Sequence, residues 1–169
     1  MKRLLLAILL TLGMVGTAMA MECPGVVGPT TRLRCTETVF NDSGSALTSG
    51  TVVAWDDDDT DFSSTGYPYV FNTATADDPY LAGVILDNSC PDQALCTIVT
   101  RGLTDVLIAN TTDVAAVDTL LSSSTVAGQA GDYGTGANAC SLGPLVSFDL
   151  GSVDRDFILG RVFVNIDCD

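Results

Sequence analysis

Residues 96–109 read CTIVTRGLTDVLIA. Two runs rich in Val, Ile and Thr, CTIVTRG (96–102) and TDVLIA (104–109), lie almost end to end, and Gly102 sits at the bend between them. Branching at Cβ restricts a side chain in a helix and suits the pleated surface of a sheet, so both runs read as strands. Glycine at the junction weakens a strand and admits backbone angles that other residues avoid. No apolar spacing of three to four residues, the mark of a helix, runs through the stretch.

The same texture recurs along the chain. TRLRCTETVF (31–40) alternates, with Leu33, Cys35, Glu37 and Val39 on one side. TVVAW (51–55), YPYVF (67–71), YLAGVIL (80–86), GPLVSFD (143–149) and DFILGRVFVNID (156–167) are further apolar runs. Clusters of Gly, Pro, Asn, Asp and Ser such as NDSGSALTSG (41–50) separate them, and the six prolines fall in or beside these breaks. DVAAVDTLL (113–121) reads as either a short helix or a strand. The expected fold is all-β: a single compact β-barrel or sandwich of about eight to ten short strands, stapled by disulfides.

The first twenty residues, MKRLLLAILLTLGMVGTAMA, have the layout of a secretory signal peptide: Lys2 and Arg3, an apolar segment from Leu4 to Val15, and Ala18-Met19-Ala20 as cleavage site. The apolar segment is short for a membrane span. The expectation is a cleaved leader over 1–20 and one β domain over 21–169, secreted to the extracellular space or the cell surface. Residues 21–40 are read as an extended arm able to add as a strand to a neighbouring chain.

Without the leader, five arginines face twenty-one acids, a net charge of about −16, with no lysine and no histidine. Phosphate backbones and anionic membranes require Lys and Arg to displace counterions, so neither nucleic acid nor a membrane is an expected partner. Nineteen of the acids are Asp and only Glu22 and Glu37 are Glu. Aspartate favours turns over helices, in keeping with a strand-and-loop protein.

Six cysteines follow the leader: Cys23, Cys35, Cys90, Cys96, Cys140 and Cys168. An even count in an exported chain reads as up to three disulfides, and six cysteines permit fifteen pairings. Cys90 and Cys96 flank the short loop PDQAL, which makes a local bridge the first expected pair. Cys23–Cys35 with Cys140–Cys168 is then the simplest remainder, and the sequence leaves it open. Zinc is not expected, since there is no CxxC and no histidine.

The run AWDDDDTDF (54–62) carries five carboxylates between Asp56 and Asp61. Asp57, Asp59 and Asp61 have the one-three-five spacing of a calcium loop, yet Phe62 stands where such a loop needs Gly and Pro68 where it needs a bidentate Glu. The expectation is a solvated, self-repelling loop and no cofactor. A looser calcium site on these acids, with Asp77 and Asp78, is the alternative, and a calcium-dependent binding or adhesion module is the function it would serve.

Catalysis finds little support. Triads and Cys–His pairs need a histidine, and Schiff bases or Ser–Lys pairs need a lysine. The one concrete enzymatic alternative is an aspartic protease: Asp42-Ser43-Gly44-Ser45 with the later segment Ile158-Leu159-Gly160. That chemistry needs two aspartates sharing a proton, and one copy supplies a single such loop. NDSG is also an ordinary turn. Asn41-Asp42-Ser43 and Asn110-Thr111-Thr112 match the glycosylation sequon.

From Val106 to Phe148 the only charges are Asp113, Asp118 and Asp132. The last run is apolar on both sides, with Ile158, Val162, Val164 and Ile166 on one and Phe157, Leu159 and Phe163 on the other. Either the strand is covered on both faces within the chain, or one face meets another copy, as depletion of charge at interface cores suggests. The contact candidates are Phe157, Leu159, Val162, Phe163 and Val164.

The order YLAGVIL, CTIVTRGLTDVLI, VAAVDTLLSSSTVAGQA, LGPLVSFD and FILGRVFVNI, from Tyr80 to Asp167, resembles the small β-barrel head-decoration (capsid cement) proteins of tailed phages. Val117-Asp118-Thr119-Leu120 stands for that family's Gly-Asp-x-Leu element, with Val117 in place of Gly, and Ser124 to Ala130 continues it. The resemblance, here in a secreted and disulfide-containing form, implies a compact barrel that attaches to copies of itself or to a lattice. The expected function is a secreted structural subunit that self-assembles into an extracellular filament, sheath or coat.

Overall fold

The computed structural model describes residues 34–56, 65–109, 119–134, 140–149 and 157–168. The leader, Cys23, the arm as far as residue 33, and Asp57, Asp59 and Asp61 lie outside them. Eleven strands form among the described residues: β1 (Cys35–Asn41), β2 (Val52–Trp55), β3 (Tyr69–Phe71), β4 (Leu81–Ile85), β5 (Leu95–Ala109), β6 (Leu120–Ser123), β7 (Ala130–Asp132), β8 (Cys140–Ser141), β9 (Gly143–Asp149), β10 (Phe157–Asn165) and β11 (Asp167–Cys168). No helix is among these elements, and none among the described residues is long and apolar enough to cross a membrane.

The two runs of 96–109 are a single 15-residue strand, β5. Its backbone contour is roughly 50 Å at about 3.3 Å per residue. The strand is bent, so that the Leu107 N–H reaches the Gly50 carbonyl while the Gly50 N–H reaches the carbonyl of Ile85, the residue opposite Ile98. This bend lets one strand serve two closed structures in succession. Its first half closes a five-strand barrel through the order β1-β3-β2-β4-β5, with β1 pairing back onto β5 from Cys35↔Arg101 to Phe40↔Leu95. Its second half pairs with β10 from Asn165↔Arg101 to Phe157↔Ala109. From β10 the sheet continues through β9, β6 and β7, and β7 returns to β5 at Ile108↔Ala130. At Arg101 β5 is paired on both edges, with Cys35 of β1 and Asn165 of β10. β8 and β11 pair separately.

Two cores follow from this arrangement. Val39, Val53, Val70, Ala82, Ile85, Cys96 and Ile98 fill the barrel. Val106, Ile108, Leu121, Leu142, Leu145, Val162 and Val164 fill the second ring, joined by Val52, Leu81, Val84 and Val99 from the outer face of the barrel. β4 is accordingly buried at all five positions, because each of its faces belongs to a core. A fully buried Ile or Val contributes about 1.5–3 kcal/mol by leaving water.

β5 serves both cores because its alternation shifts once. Ile98 faces the barrel and Val99 the second core. Strict alternation would then aim Arg101, Leu103 and Asp105 into the second core. Instead the register with β1 steps from Thr36↔Val99 to Cys35↔Arg101 and passes over Thr100, an extra residue of the kind found in a β-bulge. Gly102 (φ 112°), Thr104, Val106 and Ile108 then point inward, and Arg101 and Asp105 lie exposed. Gly102 is needed here, since that φ lies in a region L side chains rarely adopt.

Cys90 is bridged to Cys96 (Cα–Cα 5.7 Å) and Cys140 to Cys168 (Cα–Cα 4.1 Å). Cys35 is also disulfide-bonded, and its bridge lies outside the described residues. No described cysteine is free. Such bonds are compatible with an extracellular or secreted protein. The arm reading of 21–40 fails for residues 35–40. They are β1, paired to β5 of the same chain, and Val39 is fully buried, so this stretch is committed within the fold.

Candidate functional site

Of the acidic run only Asp56 is described, and its N–H donates to the Tyr69 carbonyl at 3.0 Å. The neighbouring calcium candidates Asp77 and Asp78 are engaged by the protein itself. Asp77 Oδ1 accepts the Gly134 N–H at 2.8 Å. Asp78, 4% exposed, accepts the Tyr80 N–H at 2.9 Å and the Thr73 hydroxyl, while its own N–H donates to Ser123 Oγ at 2.8 Å. These bonds tie the segment before β4 to β6 and so hold the barrel against the second ring. Among the described residues no group of three or more His, Cys, Asp or Glu side chains is placed to hold a metal ion.

The NDSG stretch is a locked turn. Asn41 is fully buried, and its Nδ2 shares two hydrogens among the carbonyls of Ser45 (2.9 Å), Cys90 (3.0 Å) and Pro91 (3.0 Å). Its Oδ1 accepts the Ser43 N–H at 3.0 Å. Asp92 Oδ1 accepts the Gly44 N–H at 2.9 Å, and Asp42 accepts from the Gln93 amide. The turn is thus fastened to the loop that Cys90 and Cys96 close. Asp42 lies beside β1, whereas Leu159 and Gly160 belong to β10 of the second ring, so the two protease-like segments occupy different parts of the fold. The Asn41 sequon offers no free amide, because both hydrogens are committed to carbonyls.

The remaining sequence candidates lie on β10, and the structure divides them. Val162 and Val164 are fully buried in the second core, which corrects their reading as contact residues: the inward side of β10 packs against β5 and β9 of its own chain. Phe163 points the other way and is 43% exposed, and Leu159 is half-buried. The backbone of Phe157 pairs with Ala109, and its side chain lies outside what is described.

Cross-strand register builds a surface around Phe163. It stands opposite Leu103, and Leu159 stands opposite Leu107. Between these apolar pairs Arg161 faces Asp105, with Nε to Oδ1 at 2.9 Å and the two side chains 47% and 56% exposed. The hydrogen bond to Asp105, with the Coulomb attraction of its carboxylate, raises the Arg161 pKa above its ordinary value. Arg101 is exposed opposite Asn165, and Arg34 donates through Nε and Nη2 to the Leu103 carbonyl at 3.1 and 2.6 Å. On β9, Val146 is 43% exposed where the register with β10 shifts, and Ser147 faces Arg161.

This face offers apolar area framed by guanidinium forks, which suits it to contact with another surface. Leu103, Leu107 and the Arg161–Asp105 pair escaped sequence reasoning. Their signal was the alternation Leu103-Asp105-Leu107, whose outward direction depends on the shift at Thr100. No protein-family model matches the chain, and no curated protein shows significant similarity to it.

Proposed function

We propose that this protein is an exported structural subunit that assembles with copies of itself into an extracellular filament, sheath or coat. The observation that carries this reading is the outward face of β5, β9 and β10, where Phe163, Leu103, Leu159 and Leu107 line up in register around one ion pair and Phe163 keeps 43% of its surface exposed. A closed barrel sharing a strand with a second ring supports the role, because ladders paired back on themselves give a unit with few free edges and a fixed shape. Disulfides support a working place outside the reducing cytosol. A lattice-bound coat subunit, the form the resemblance to head-decoration barrels implies, is one version of the same role.

The test is light scattering on a size-exclusion column with negative-stain microscopy of the secreted protein. Polymers or regular arrays are expected. A monodisperse monomer at high micromolar concentration would overturn the proposal.

A further inference from the structure

We infer that the contact between copies is heterologous: the arginine-bearing apolar face of one copy seats on an acidic part of the next copy's surface, so that the contact repeats head to tail. The inference rests on the self-assembly reading and names the surface that this face takes. Its basis is where the cations stand. The whole sequence has seven basic residues against twenty-one acids. Within the described residues the cations are Arg34, Arg101 and Arg161, and all three belong to the β5–β10 face or its margin. Among the described side chains of that face the acid is Asp105, already paired with Arg161.

Elsewhere the described surface carries acids and no cation, including Asp42, Asp87, Asp92, Asp132 and Asp167. A two-fold contact would set this face against its own image, where three arginines from each copy meet one carboxylate that is already paired, an excess of like charge. Set against the described acids of a neighbour, such as Asp92 or Asp167, the same arginines meet carboxylates. Complementarity of this kind steers association and fixes orientation. A contact between two different patches does not close on itself at two copies. It gives a ring if the rotation closes and a filament if it does not.

The experiment uses the secreted full chain and a Phe163→Asp variant. Phe163 is exposed, so the variant is expected to keep the wild-type thermal midpoint and near-ultraviolet spectrum while failing to polymerise alone. Mixed with wild type at about one part in ten, it should shorten the polymers severalfold. Its acidic surface still docks onto a wild-type face, while its own face accepts nothing, so it ends the chain. Arg101→Glu should raise the concentration at which polymers appear by roughly tenfold or more, and wild-type polymers should weaken as the screening length falls from about 10 Å at 0.1 M salt to about 3 Å at 1 M.

Wild-type mass that stops at two copies, a Phe163→Asp variant with no effect on wild-type polymers, or assembly indifferent to salt would overturn the heterologous contact and leave self-assembly standing. A wild type that stays monomeric would overturn both.

Discussion

Gly83 lies so close to Val99 that a Cβ added to it would stand 2.7 Å from the Val99 carbonyl oxygen and 3.1 Å from Ile98 Cδ1. β4 and β5 are neighbours at Val84↔Val99 and Ile85↔Ile98, and β4 is buried on both faces, so neither strand has room to recoil. Gly83→Ala is expected to lower stability by about 1–3 kcal/mol, the usual cost of overpacking, read as a fall in the denaturant midpoint. Gly160→Ala meets the side-chain tips of Ile108 and Leu145 instead of backbone, and should cost less. The reverse order would contradict the close approach of β4 and β5.

Asn41 is the polar peg of the turn. Asn41→Ala leaves the carbonyls of Ser45, Cys90 and Pro91 without their shared donor, at an expected cost of about 2–3 kcal/mol. Asn41→Asp, of equal size, should be at least as damaging, because it sets an acceptor oxygen in place of Nδ2 against three carbonyls. Chemical denaturation of both variants checks this, and an Asp variant as stable as wild type would remove the role.

The two described disulfides differ in access. Cys90 and Cys96 are 0% and 3% exposed, whereas Cys168 lies at the surface. Under mild reductant the Cys140–Cys168 bridge should open first, as alkylation followed by mass spectrometry would reveal. Replacing both of its cysteines by alanine should cost about 3–4 kcal/mol on the loop-entropy relation, against about 2–3 for the shorter Cys90–Cys96 loop.

The Asp78 carboxylate braces the segment before β4, from Thr73 to Tyr80, and so positions the Asp78 N–H that reaches Ser123 of β6. Asp78→Ala removes the acceptor of the Thr73 hydroxyl and the Tyr80 N–H, with an expected loss of about 2–3 kcal/mol. Hydrogen exchange at Tyr80 should quicken more than at Ile98, which sits inside the barrel. Equal acceleration at both positions would mean that the bond supports the whole fold and not this junction.

Much of the strand content was legible from composition and spacing. The runs that became β1, β2, β3, β4, β5, β9 and β10 are rich in Val, Ile, Thr, Phe and Tyr between turn residues, and these local preferences survive packing. β6, β7, β8 and β11, reading LLSS, AGD, CS and DC, carry none of the β-branched or aromatic residues that mark the equally short β2 and β3. LLSS of β6 straddles the end of the ambiguous 113–121 run and turns out extended because it pairs with β7 and β9.

Sequence by itself established an acidic chain of strands and tight turns, without the histidine that triads require, and with cysteines spaced for bridges. Tertiary structure alone decided that β5 is one strand shared by two closed rings, and which side of β10 faces water. The physical reason is register. A side chain's direction in a strand alternates with every residue, so the passed-over Thr100 reverses the assignment of everything after it. That single step buries Val106 and Ile108 and sets Leu103 and Asp105 on the outward side, opposite Phe163 and Arg161. Composition is blind to such a step, because the same residues are present whichever way they point.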